Sequence, residues 1–163
     1  MHINIPIEEL VGLMLEVFES GGQFSFLPRG TSMLPLLRQD IDTVTVKAPE
    51  APSKGDIILY RRKNGKYVLH RIIGSDKNGF ILCGDNQFVR EHGITNESII
   101  AVAERIDRGG TVLELSSPTL IYRLYRFFLP LRRFYCAVPR RMFYFLKKTI
   151  RKSGGHNISS ETK

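Results

Sequence analysis

Ile57-Ile58-Leu59-Tyr60-Arg61-Arg62-Lys63-Asn64-Gly65-Lys66-Tyr67-Val68-Leu69-His70-Arg71-Ile72-Ile73 is the stretch that decides how this chain folds. Two runs rich in β-branched and aromatic residues flank Asn64-Gly65, the pair that most readily takes the left-handed conformations of a tight hairpin. Similar runs recur on both sides, so strands are expected near 23–28, 42–47, 56–62, 66–74, 79–83, 98–106 and 111–115. Asn78-Gly79 and Gly109-Gly110 add two more turn signals. The spacing predicts a mainly β fold: a coiled, mostly antiparallel sheet closing toward a partly closed barrel.

Upstream of this sheet, residues Asn4 to Phe18 read as a helix, with Asn4 as N-cap, Pro6 near the first turn and Gly21-Gly22 as the stop. Ile7, Leu10, Val11, Met14, Leu15 and Phe18 follow the spacing of one buried stripe. Glu8, Glu9, Glu16 and Glu19 and the short length prevent it from crossing a bilayer. The organisation expected is an N-terminal helix (1–21), a β-rich domain (22–117), basic aromatic-rich helices (118–152) and a disordered tail (153–163). No basic segment followed by an apolar core opens the chain, so no cleavable leader is expected.

At 163 residues the chain is long enough for one domain with a real core. Its formal charge of +8 is unevenly spread. Residues 1–117 carry 13 Lys/Arg against 15 Asp/Glu, whereas residues 118–163 carry 11 against one. Cys83 and Cys136 stand far apart in unlike settings, so both are expected as reduced thiols, Cys83 as a packing residue. Neither pairs with a histidine at metal-ligand spacing, and no metal or cofactor is expected.

Before the hairpin lies Pro28-Arg29-Gly30-Thr31-Ser32-Met33-Leu34-Pro35-Leu36-Leu37. Gly30 frees the backbone just ahead of Ser32 and Pro35 stiffens it just after, which holds the serine in a fixed pose. A serine hydroxyl becomes a nucleophile only beside a base that takes its proton. His70 is the candidate base: strand alternation turns its side chain with Val68 and Ile72, away from Leu69 and Arg71. Partial burial there would lower its pKa and keep the imidazole neutral near pH 7.

Together with Gly84-Asp85-Asn86, these stretches resemble the type I signal peptidases. Gly30-Thr31-Ser32-Met33-Leu34-Pro35 is similar to the Ser-Met-Xaa-Pro nucleophile box of that family, Leu69-His70-Arg71-Ile72-Ile73 to its general-base box, and Gly84-Asp85-Asn86 to the box that closes the site. Histidine at position 70, where the usual bacterial enzymes have lysine, resembles the Ser-His branch of endoplasmic-reticulum and archaeal type. The likeness covers roughly residues 24–106. It implies a serine endopeptidase with Ser32 as nucleophile and His70 as base. Asp85 is the better motif match for the acid that orients His70; Glu91 is the other candidate, and the sequence leaves both open. The resemblance further implies an oxyanion site at the Ser32 N–H, helped by the Thr31 hydroxyl, and a substrate pocket shaped by Met33, Leu34 and Pro35. Gly30 stands where the family usually has a side-chain oxyanion donor, and the one or two membrane spans that usually begin family members are not found here.

Between Ser116 and Lys152 no acidic residue occurs, and Arg and Lys alternate with Leu, Tyr and Phe. Pro118, Pro130 and Pro139 divide this region into short units, none apolar enough to span a membrane. Such sequence suits the surface of an anionic bilayer, and its apolar content argues against a nucleic-acid arm. The reading is therefore a peripheral membrane protein, with the cytoplasmic face favoured, that cuts a leader or signal-like peptide or preprotein. Two alternatives stand beside it. A self-cleaving repressor would use a lysine base and carry a DNA-binding domain; a binding module on the same fold would have lost the chemistry.

Overall fold

A computed structural model of the chain describes residues 6–116, 120 and 122–131. Helix α1 spans Ile7–Glu19, followed by strands β1 (Phe24–Phe26), β2 (Thr43–Lys47), β3 (Ile57–Arg61), β4 (Tyr67–Asp76), β5 (Gly79–Cys83), β6 (Glu91–Ile94), β7 (Ile99–Arg108) and β8 (Thr111–Glu114). A 3-10 turn at Asn96–Ser98 leads into β7, and a second α-helix, α2, covers residues 122–131. The Asn4 cap, Pro118, Pro139, Cys136, the basic segment past residue 131 and the 153–163 tail lie outside the described residues.

Every strand pairing is antiparallel, in the order β1-β2-β7-β3-β4-β5-β6 with β8 added to β7. The sheet does not close, which corrects the expectation of a partly closed barrel. β1 pairs with β2 and β6 with β5, and among the described residues no ladder joins these two ends. The three turn signals all join neighbouring antiparallel strands, at β3-β4, β4-β5 and β7-β8. Strand β6 carries little signal in the sequence, because Glu91-His92-Gly93-Ile94 shows no clear alternation and has one β-branched residue, Ile94. It forms because Leu82 and Phe80 of β5 offer it a free edge, pairing with Glu91 and Ile94.

Two apolar clusters lie on opposite faces of the β3-β4 hairpin. Ile57 and Leu59, with half-buried Tyr67 and Leu69, face the larger one, where α1 contributes Val11 and Met14 and α2 contributes Tyr122. Ile58, Tyr60 and Ile72 face the smaller one with Leu82 and Ile99. Period-two alternation therefore sends Arg71 toward the first cluster and His70 toward the second. Both are buried. In α1 the buried stripe is narrower than its spacing implies: Val11 and Met14 are covered, while Ile7 and Leu15 are exposed.

The segment carrying the serine is fastened to the sheet by a buried carboxylate. Asp42 Oδ2 accepts from the Arg38 N–H at 2.8 Å and Oδ1 from Arg38 Nη2 at 2.6 Å, with Arg108 Nε 3.4 Å away. Burial alone would raise the pKa of Asp42, but the bonds from Arg38 and the charge of Arg108 outweigh it and hold the pKa below the ordinary value. Arg108 also donates to the Pro35 carbonyl at 3.0 Å, which pins the turn after Ser32 to β7.

Candidate active site

Three stretches far apart in sequence meet at the Ser32 turn. Gly30 takes φ 103°, a conformation that disfavours residues with a Cβ, and lets the chain bend into Thr31-Ser32. The Asn86 N–H donates to the Ser32 carbonyl at 2.8 Å and its side-chain amide to the Thr31 carbonyl at 3.1 Å. The loop after β5 thus clamps the backbone on which the serine sits.

His70 approaches the same point from β4. A Cβ built on Gly84 would lie 3.2 Å from His70 Nε2 and 2.6 Å from the Ser32 carbonyl oxygen. Only a residue without a side chain lets imidazole and serine turn draw this close. Gly84→Ala is expected to force the two apart, costing about 1–3 kcal/mol of stability by overpacking and lowering any Ser32 chemistry. A urea midpoint unchanged from wild type would show that the space is not tight.

The other ring nitrogen is held by a carboxylate. His70 Nδ1 lies 3.2 Å from Glu91 Oε1 and 3.3 Å from the Tyr60 hydroxyl. A carboxylate only accepts, so Nδ1 carries the proton and the lone pair sits on Nε2, the side that faces Gly84. Glu91 is gripped in turn by Arg62, whose Nε donates at 2.7 Å and whose Nη2 makes a second bond. Burial would raise the Glu91 pKa, but the Arg62 and Tyr60 hydrogen bonds prevail and keep it below the ordinary value. Burial pushes the His70 pKa down to about 4, with Glu91 opposing and Arg62 assisting, so the ring is neutral at pH 7.

Asp85, the acid the sequence favoured for orienting His70, is engaged elsewhere. Its carboxylate takes a two-pronged bond from Arg71, Nε at 2.9 Å and Nη2 at 2.6 Å, and a third bond from the Tyr125 hydroxyl at 3.1 Å. Arg71 Nη1 donates to the Gly55 carbonyl at 2.8 Å and to the Tyr122 hydroxyl at 2.9 Å. Because Arg71 and His70 point to opposite faces of β4, a carboxylate committed to one is poorly placed for the other. The position at Nδ1 belongs to Glu91. Its role was open in sequence because it acts from β6, the strand that the residue pattern missed.

A cleft of about 180 Å³ opens beside Ser32. Pro28, Arg29 and Gly30 line one side, Tyr67, Val68 and Leu69 the other, with Met33 and Leu37 at its base. Of the three residues expected to shape a substrate pocket, Met33 lines this cleft. Leu34 and Pro35 do not: they sit further along the same turn, half-buried and exposed, with the Pro35 carbonyl bonded to Arg108. Among the described residues the β4 wall has an open edge. Residues Tyr67–Arg71 pair with β3, but β5 begins pairing only at Arg71. The bonds Arg62 N–H to Lys66 C=O and Ile72 N–H to Asp56 C=O show that even-numbered residues turn their backbone groups toward β3. Those of Tyr67 and Leu69 therefore point at the cleft. Thr31 is exposed at the rim. Among the described residues Ser32 Oγ makes no hydrogen bond, and no group of His, Cys, Asp and Glu side chains is arranged to hold a metal.

No family profile, curated protein or solved structure matches the chain.

Proposed function

We propose that the protein is a serine endopeptidase working through Ser32 and His70, of signal peptidase I-like type and Ser-His branch. The observation that carries this reading is the meeting at Gly84, where His70 Nε2 and the Ser32 turn approach one point, while Glu91 holds Nδ1. In this mechanism Ser32 Oγ attacks the scissile carbonyl carbon as Nε2 takes its proton. The oxyanion of the tetrahedral intermediate is met by the Ser32 N–H with the Thr31 hydroxyl alongside. As the C–N bond breaks, the imidazolium returns the proton to the leaving amine, and water, deprotonated by the same ring, releases the acyl group from Ser32. The substrate is an extended segment that adds to the open edge of β4 through the backbone of Tyr67 and Leu69, as in other strand-edge recognition. A leader or signal-like peptide, presented at a membrane face by a protein lying on that face, suits such a site.

The free Ser32 hydroxyl supports a second reading, a binding module that keeps the cleft without the chemistry. A serine-directed fluorophosphonate separates the two when applied to the full chain and followed by peptide mapping. A covalent adduct on the peptide containing Ser32 is expected, and it should be lost in His70→Ala. An unlabelled wild type, or an adduct on another serine, would favour the binding module.

A further inference from the structure

Helix α2 has two unlike faces. Tyr122 and Leu129 are buried, Tyr125 bonds Asp85, and Arg126 lies over Gly55 with Nη2 3.4 Å from the Lys54 carbonyl oxygen. On the other side Leu120, Leu124, Phe127, Phe128 and Leu131 are between 50% and 76% exposed. At about 100° per residue these five fall within an arc of roughly 100°, opposite the docked residues. Phe127 and Phe128 meet edge to face at 5.3 Å, adding a continuous aromatic surface. A contiguous exposed stripe of this kind marks an interaction surface.

Charge identifies the occupant. Arg123 stands exposed beside the stripe, and Arg132, Arg133, Arg140, Arg141, Lys147 and Lys148 follow in sequence without an intervening acid. An apolar arc beside an exposed arginine, followed in sequence by cations with no acid among them, matches an anionic bilayer surface: phenylalanine and leucine enter below the headgroups while arginine pairs with phosphate. No described helix is long and apolar enough to cross a membrane.

We propose that α2 is a membrane-docking strut: its outer stripe enters an anionic bilayer surface, while its inner face holds the Arg71–Asp85 pair, whose chain neighbour Asn86 clamps the Ser32 turn. The connection is short. Tyr122 and Tyr125 bond Arg71 and Asp85, and Asn86, the next residue, clamps Thr31 and Ser32. The cleft is thereby carried at a fixed attitude to the lipid. The assignment deepens the peptidase reading by stating where substrate is met, but lipid contact itself is measured without cleavage.

The test is flotation of the full chain with vesicles of phosphatidylcholine alone or mixed with phosphatidylglycerol. Wild type is expected to float with the anionic vesicles and much less with the neutral ones. The variant Leu124→Glu/Phe127→Glu/Phe128→Glu should lose at least tenfold in partitioning while its thermal melt stays unchanged, because the replaced side chains are exposed. Equal flotation of variant and wild type would overturn the assignment, as would a wild type that never floats. A wild-type dimer that the variant converts to monomer, without vesicle binding, would give the stripe to a second copy of the chain. Failure to label Ser32 with the fluorophosphonate would remove the peptidase reading and leave the flotation result standing.

Discussion

Ser32→Ala and His70→Ala should each abolish peptide turnover, by several orders of magnitude in kcat/KM, and combining them should cost little more than either alone. Nucleophile and base act as one unit, so removing either leaves only binding and oxyanion stabilisation. A single-turnover assay on an extended peptide reads this directly; additive losses would separate the two residues. The pH profile is equally specific. A base works deprotonated, so the rate should fall as pH drops through the His70 value of about 4, well below the roughly 6.5 of an exposed imidazole. Stability follows the same direction: with its folded pKa depressed, His70 contributes stability that is present above about 6.5 and is lost as pH falls toward about 4. Glu91→Gln removes the charge that favours imidazolium, so the acid limb should move lower still. Turnover should also fall, by about 10²- to 10⁴-fold, as the ring loses its tautomer. An acid limb that stays in place would deny Glu91 its positioning role.

Arg71→Ala should destabilise the fold by about 3–5 kcal/mol, because it removes the guanidinium charge that is paired with the fully buried carboxylate of Asp85. Against a total of about 5–15 kcal/mol for an ordinary domain this is a large share. Asp85→Asn should act in the same direction by leaving the Arg71 charge uncompensated. Urea unfolding with an unchanged slope measures it, and a melting temperature lower by roughly 10 °C should accompany it. Glu91→Gln gives the contrast. Its pair with Arg62 is partly exposed, at 32% and 22%, so its loss should shift stability by less than about 1 kcal/mol. If Glu91→Gln unfolds the chain while Asp85→Asn does not, the two acids have been assigned to the wrong tasks.

The strands of the β3-β4 hairpin were legible because alternation and Asn64-Gly65 act locally, within the reach of sequence pattern. Ser32 and His70 were legible as residue types in order, and the turn at Gly30 as a need for positive φ. Pairing across the sheet was not. That Asp85 meets Arg71 and Glu91 meets His70 depends on which face each side chain takes and on an edge strand, β6, that exists only because β5 offers it partners. Closure of the sheet was unreadable for the same reason: nothing local says whether the first strand and the last will find each other. The buried Asp42 passed unnoticed, since in sequence it is one more acid in a polar turn.

Strand β4 also carries its own safeguard against misalignment. Successive residues on it, an imidazole and a guanidinium, are each accepted by one compartment and refused by the other. Sliding β4 by a single position would drive the guanidinium among Ile58, Tyr60 and Leu82 and leave the acid bonded to α2 facing a neutral ring. Few slipped arrangements could be so heavily penalised by so few atoms, so the polar pair that looks like an extravagance in a small core also keeps the hairpin in step.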